Sequence, residues 1–307
     1  MKHRCFKPER NRLHRQRGVA SVLAMLYLVL FSVLAVGFYA SVTVSVQVAG
    51  NERRGTEAVT AIRSVATHPA SIQQRPLDLA SLASVAAFAS ALPDGPIDRL
   101  VLNAGIMLTN RKETEDGFEM MFGTNVLGHY ALVSHVRDRV LAADSPRVVT
   151  QSSESHRAGR LNLQDLQHTA SFSPLAAYND SKQAEHILAV ELDRRYPHAG
   201  SVVCQPGWVK SDLGRDMSNA NVLQRAGYAL GNLVIGQTPA EGARSALKAA
   251  LDDIVPGAAT GSYLTPGKFH HFRGEPIVAE ASALVLDPVI GEGLWQYATE
   301  VTKQHSQ

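Results

Sequence analysis

The sequence predicts an α/β fold, a doubly wound parallel sheet with helices on both faces, and three observations carry that reading. Strand-like runs alternate with helical runs along most of the chain. Of its 307 residues, 45% are hydrophobic and 19% charged, enough apolar material for a sizeable core. Polar residues gather just after the strand ends, where sheets of this kind bind ligands. The length suits one domain of about 250 residues plus an appendage, or two ordinary domains. The composition excludes a disordered, collagen-like or disulfide-stapled chain. Cys5 and Cys204 are the only cysteines, and their wide separation fits neither a disulfide framework nor a zinc site, so they read as free thiols.

The elements follow in order. Residues 1–17 form a basic tail with Lys2, Arg4, Lys7, Arg10, Arg12, Arg15 and Arg17 against Glu9, a net +6, which leaves −4 for the other 290 residues. A mildly acidic body argues against nucleic-acid binding, which needs a basic face. Residues 18–40 are 23 consecutive uncharged residues, long enough at 1.5 Å per residue to cross a hydrocarbon core of about 30 Å. They read as a transmembrane helix, with a fully buried core helix as the alternative, and they exceed the usual apolar core of a signal peptide. The excess of Lys and Arg before the span, against Arg53, Arg54 and Arg63 after it, predicts a cytoplasmic N-terminus and a body beyond the membrane. A cytoplasmic protein is the alternative.

Residues 41–307 are expected to form the α/β body. Residues 41–48 alternate strictly, with Val42, Val44, Val46 and Val48 on one face, a strand signature. A helix is expected over 52–65, a strand ending at 76–79, and a helix over 81–92 broken by Pro93 and Pro96. Then come a strand over 99–102, a turn at Asn103-Ala104-Gly105, a helix over 124–143, a strand over 147–151, a helix over 179–195 and a strand over 201–205. Thr238, Pro239 and Glu241 open a further helix as N-cap, first-turn proline and capping glutamate.

The chemistry concentrates at Tyr178 and Lys182, whose spacing of four puts both on one helical face. The strand over 147–151 delivers Ser152 and Ser153 at its carboxyl end, where a hydroxyl could sit beside the phenol. A tyrosine, with an ordinary pKa near 10, works as an acid or base at neutral pH only if a nearby cation favours the phenolate, and Lys182 could supply that charge. The 12 histidines show no metal spacing, and His270 and His271, being adjacent, would point apart, so no metal is expected.

An ordered set of motifs resembles the short-chain dehydrogenase/reductase family, in its branch containing retinol dehydrogenases and the WW-domain oxidoreductase. It comprises Leu77-Asp78-Leu79, Asn103-Ala104-Gly105, Thr124-Asn125, Ser152-Ser153-Glu154-Ser155-His156, Tyr178 with Lys182, and Pro206-Gly207, and the likeness runs from about Asn51 to about Thr302. The resemblance implies a Rossmann-like sheet and hydride transfer between NADP(H) or NAD(H) and an alcohol/carbonyl substrate. Tyr178 would be the general acid/base, with Lys182 lowering its pKa and binding the nicotinamide ribose. Ser153 would hydrogen-bond the carbonyl, and Asn125 would hold a water that relays protons to Lys182. Asp78, with Leu79 beside it, would contact the adenine; Asn103, Ala104 and Gly105 would support the sheet beside the cofactor, and Pro206 and Gly207 would pass under the nicotinamide. Read singly, Asn125 and Ser153 could be helix or turn residues, and Asp78 could simply cap the next helix.

The family's first strand, its Thr-Gly-x-x-x-Gly-x-Gly loop and the following helix are not found. The glycines before residue 100 are Gly18, Gly37, Gly50, Gly55 and Gly95, and no three of them have that spacing. The expected fold is therefore a doubly wound sheet missing its first βα unit and preceded by an apolar helix, with cofactor binding impaired. Arg53 and Arg54 lean the cofactor toward NADP(H). The head, with Arg15-Gln16-Arg17-Gly18 before the apolar run, resembles the N-terminal segment of type IV pilin-like proteins, although Leu23 stands where most members carry Glu. The chain then reads as a chimera of a pilin-like leader and a reductase body, with a membrane-tethered, non-catalytic remnant as the alternative. The expected partners are a small, lipophilic alcohol or carbonyl and the membrane through residues 18–40; a homo-oligomer is compatible with this reading. The lipophilic expectation comes from residues 208–237, where Trp208, Leu213, Leu223, Tyr228, Leu230 and Leu233 mix with few charges.

Overall fold

The computed structural model describes residues 73–209, 231–253 and 255–304. The basic tail, the span over 18–40, the strand over 41–48, the helix over 52–65 and most of the apolar 208–237 segment lie outside the described residues. Among those residues no helix is long and apolar enough to cross a membrane.

The described elements are α1 (Leu82–Ser90), β1 (Arg99–Leu102), α2, β2 (Arg147–Gln151), α3 (Pro174–Arg195), β3 (Ser201–Cys204), α4 (Arg244–Leu251), β4 (Ser262–Lys268), β5 (Arg273–Glu280) and α5 (Pro288–Gln304). α2 runs in three consecutive pieces: an α turn Met120–Phe122, a π segment Gly123–Leu127 and the α-helix Gly128–Leu141. The sheet order is β1-β2-β3-β4-β5, parallel from β1 to β4, with β5 antiparallel to β4 at the edge.

Alternation along β2 and β3 explains the double winding. Val148 and Val203 enter a core shared with α1, α2, α3 and α5, while Val149, Val202 and Cys204 enter a second core with Ala249 and Ala250 of α4 and Leu264 of β4. Successive strand side chains point to opposite faces, so strands apolar at every position need a helical layer on each side. The predicted strands at 99–102 and 147–151 match their observed bounds, and the strand expected over 201–205 stops at Cys204.

Four departures from expectation have local causes. The strand expected to end at 76–79 is irregular chain: the Asp78 carboxylate accepts from the Ala80 N–H at 2.9 Å, closing a turn, and Ser81 caps α1. α2 starts at Met120 instead of 124 because the buried Glu119 carboxylate caps it, accepting from the Met121 and Phe122 N–H groups at 3.0 and 2.8 Å. α3 starts five residues earlier than expected, at Pro174, with Ser173 as N-cap and proline in its first turn. The Thr238/Glu241 capping box forms as predicted but opens only the turn Pro239–Gly242, and α4 follows it. The β4–β5 hairpin was not anticipated, because the alternation of its strands is broken by Pro266, Gly267, Gly274 and Pro276, and α5 lies beyond the last helix expected from the sequence.

Candidate active site

The carboxyl ends of β1, β2 and β3 deliver Asn103, Ser152-Ser153 and Gln205-Pro206-Gly207 to one edge of the sheet, and α3 passes across them. α3 is buried on nearly every side from Ala177 to Leu192, polar residues included. Such a helix persists only if its polar groups find partners inside. Asp180 accepts from the Arg160 N–H at 2.6 Å and pairs with His168 at 3.3 Å. Gln183 accepts from Leu161 N–H at 3.1 Å and donates to the carbonyls of His156 and Gly159. These bonds fix the rotation of α3 and aim Tyr178 and Lys182 at the strand ends.

Ser152 and Ser153 separate by role. The buried Ser152 hydroxyl donates to the Lys182 carbonyl at 2.8 Å, tying β2 to α3. Ser153 caps the 3₁₀ turn Glu154–Ala158, its hydroxyl oxygen accepting from Ser155 N–H at 3.2 Å. With that lone pair occupied, its proton is available to the Tyr178 oxygen, with which the hydroxyl is hydrogen-bonded. The turn is anchored by the His156 ring on the Ser153 carbonyl at 2.8 Å and by Tyr263, whose hydroxyl donates to Glu154 at 2.6 Å.

Asn125 sits inside the π segment of α2, whose wider turn displaces it toward the loop after β1. Its amide accepts from Ile106 N–H at 2.8 Å and donates to the Ile106 carbonyl and the Ser181 hydroxyl, both at 3.0 Å. The Asn103–Gly105 turn is thereby held against α3. The Gly105 backbone passes close to the Lys182 ammonium: a Cβ there would lie 3.0 Å from its nitrogen. The Asn103 side chain is exposed at the mouth and accepts from Gln151 at 2.5 Å. At the other side, Gly207 has φ +78°, and a Cβ there would meet the Phe272 carbonyl at 2.4 Å. Gln205 and Gln237 pin this turn, accepting from Gly207 N–H at 2.7 Å and donating to the Pro206 carbonyl at 2.8 Å.

Electrostatics follow burial. Burial holds the Tyr178 phenol above the usual tyrosine range, while Lys182 and the Ser153 hydroxyl pull it down. Lys182 therefore acts in the expected direction but is outweighed. Its ammonium lies 5.8 Å from the Tyr178 ring centre and 2.9 Å from Glu185, a partner that motif reading missed although the i,i+3 spacing was visible. His129 of α2, bonded to the Asn125 carbonyl at 2.9 Å, is depressed to about 4 by burial and by Lys182. Asp78 and Leu79 lie in the turn before α1, and no contact joins them to the Tyr178 cluster. Among the described residues no group of three His, Cys, Asp or Glu side chains is placed to hold a metal. His270 is exposed and His271 half-buried, both in the left-handed turn between β4 and β5. Cys204 is a free, buried thiol pushed up to about 12 by burial.

The family pattern of the short chain dehydrogenases matches residues 38–221, more than half of the chain. The chain belongs to that family. Mouse polyprenol dehydrogenase is 40% identical over 230 residues, covering 71% of this chain and 67% of the relative. The polyprenol dehydrogenase of Danio rerio is 33% identical over 268 residues, covering 83% and 78%. Mouse retinol dehydrogenase 14 is 33% identical over 223 residues, covering 71% and 64%. Among solved structures, an uncharacterized protein from Mycobacterium Paratuberculosis superposes with a TM-score of 0.57 at 34% identity, covering 75% of each chain. The chain is thus a short-chain dehydrogenase/reductase-family oxidoreductase with a Rossmann-like, mostly parallel five-stranded sheet.

Proposed function

We propose that this oxidoreductase interconverts an alcohol and a carbonyl with NADP(H) or NAD(H), NADP(H) being favoured by Arg53 and Arg54. The observation that carries the reading is the Ser153 hydroxyl bonded to the Tyr178 hydroxyl with Lys182 one turn along the same helix. A bound nicotinamide would supply or accept the hydride. The residues of the chain do the rest. Tyr178 donates a proton to the substrate oxygen in reduction and removes it in oxidation. Ser153 donates a hydrogen bond to the oxygen as charge develops on it, and Lys182 stabilises the phenolate left behind. Asn125 keeps the Asn103–Gly105 turn closed on Lys182, and its proton-relay role remains part of the proposal.

The residues present fit one end of the cofactor. Gly105 offers bare backbone beside Lys182, and Gly207 turns the chain tightly after β3, so a ribose and its nicotinamide would meet Tyr178, Lys182, Asn103, Ala104, Pro206 and Gly207. Asp78 and Leu79 would lie toward the adenine. The pyrophosphate has no matching glycine-rich turn in the sequence, so we expect weak cofactor binding. Around the phenol, Met107, Leu108, Met121 and Ala177 are buried and Phe172 and Leu175 pack against them, an apolar wall suited to a lipophilic alcohol. The relatives named for polyprenol and retinol support the same substrate class.

Titration of the purified chain with NADPH and NADH tests this. Binding, together with carbonyl reduction that falls about 10²- to 10⁴-fold in Tyr178→Phe, is the expected result. No binding at millimolar cofactor would overturn it and leave a non-catalytic remnant. The span over residues 18–40 belongs to the same proposal, and a chain that stays in the soluble fraction after cell lysis would count against it.

A further inference from the structure

One buried carboxylate beside Lys182, that of Glu185, takes no part in the chemistry above. Glu185 stands three residues beyond Lys182, on the face of α3 that carries both Tyr178 and Lys182. Its Oε1 accepts from the Lys182 ammonium at 2.9 Å, with side-chain exposures of 6% for Lys182 and 2% for Glu185. Its Oε2 is buried with no hydrogen-bond partner. A carboxylate half-satisfied inside a protein is costly.

We propose that Glu185 is a positioning residue that draws the Lys182 ammonium toward itself, along the helix and away from the Tyr178 hydroxyl, and so sets how acidic that hydroxyl is. This deepens the oxidoreductase reading and rests on it. Two effects add. The carboxylate holds the ammonium on itself at 2.9 Å, and its own negative charge opposes formation of the phenolate. Burial pushes Glu185 up to about 7 even beside the ammonium, because one oxygen has no donor. As an anion the carboxyl holds Lys182 and keeps it charged against the burial that would lower it, whereas a neutral group in its place leaves the ammonium's field to Tyr178. Besides Lys182 and Tyr178 on its own helix, the titratable group facing the pair among the described residues is His129 of α2, which burial and Lys182 hold at about 4. Asn125 and Gly105, from α2 and the loop after β1, face Lys182 without charge.

The test needs no turnover. Tyrosinate absorbance of the full-length chain is followed through alkaline titration, and the same titration of Tyr178→Phe is subtracted to isolate Tyr178. In Glu185→Gln, about tenfold more Tyr178 phenolate is expected at a given pH than in the wild type. Glu185→Asp keeps the charge and is expected within about twofold of wild type. A Glu185→Gln curve that overlays the wild type, or a Glu185→Asp curve that follows Glu185→Gln, would overturn the proposal. If Glu185→Gln does not fold, the likewise uncharged Glu185→Leu is titrated in its place and must show the same excess of Tyr178 phenolate; a curve that overlays the wild type would overturn the proposal equally. If Tyr178 titrates as described while no cofactor binds, the oxidoreductase reading fails and the Glu185 assignment stands.

Discussion

At the scale of single residues, the site separates groups that touch the reacting oxygen from groups that hold them. Ser153 is in the first class because its hydroxyl, which accepts from Ser155 N–H, is also hydrogen-bonded to Tyr178. Ser153→Ala is therefore expected to lower kcat for carbonyl reduction about 10²- to 10³-fold while leaving the NADPH dissociation constant within a few-fold. Steady-state kinetics with a cofactor titration checks it, and a loss confined to cofactor affinity would refute that role. Tyr178, Lys182 and Ser153 were legible in the sequence because spacing along one helix and position after a strand are local properties. Glu185 carried the same kind of local signal, but a Lys and a Glu three apart usually form a solvated surface pair, so spacing could not reveal that this pair is buried. The Asn125 amide was less legible still. Its partners Ile106 and Ser181 lie 19 and 56 residues away, and only the π turn brings them together.

At the scale of elements, the sequence announced strands better than helix starts. β1 and β2 could be bounded closely because short apolar runs set between turn residues have sharp edges. α2 and α3 began earlier than periodicity implied, since a cap depends on which side chain folds back on the chain: Glu119 in one, Ser173 in the other. The turn after β3 depends on a single glycine at positive φ. Gly207→Ala would force a methyl group toward the Phe272 carbonyl at positive φ, and a loss of several kcal/mol is expected. Urea unfolding measures it. A variant within 1 kcal/mol of wild type would show that the turn can relax.

At the scale of the whole molecule, the two-layered core was readable from alternation and burial-prone strands, whereas the antiparallel edge at β5 was not, because pairing partners are a property of topology. The interior also sets an acid limit on stability. His186 is fully buried with neither ring nitrogen hydrogen-bonded, stacked near His156 and Tyr263 with ring centres 4.9 and 5.8 Å away. Burial holds His186 well below, and His156 below, the ordinary imidazole value. Above pH 6.5 these rings are neutral folded or unfolded and contribute nothing to pH dependence. As pH falls below 6.5 the unfolded chain takes up protons that the folded chain refuses, so stability drops. Glu185, raised by burial, works in the opposite sense between its ordinary value and about 7. A comparison that isolates the ring is His186→Leu against wild type in urea at pH 7 and pH 5. The stability lost on acidification should shrink by at most about 2 kcal/mol, and an unchanged loss would show the ring already protonated inside. The free thiol of Cys204 turns this same interior into a clock. Packed beneath α4 at the centre of the sheet, its sulfur is closed to any alkylating reagent until β3 parts from its neighbours. The rate at which Cys204 is capped thus counts openings of the sheet, and slower capping in the presence of a ligand would weigh that ligand's hold on the fold without any assay of turnover.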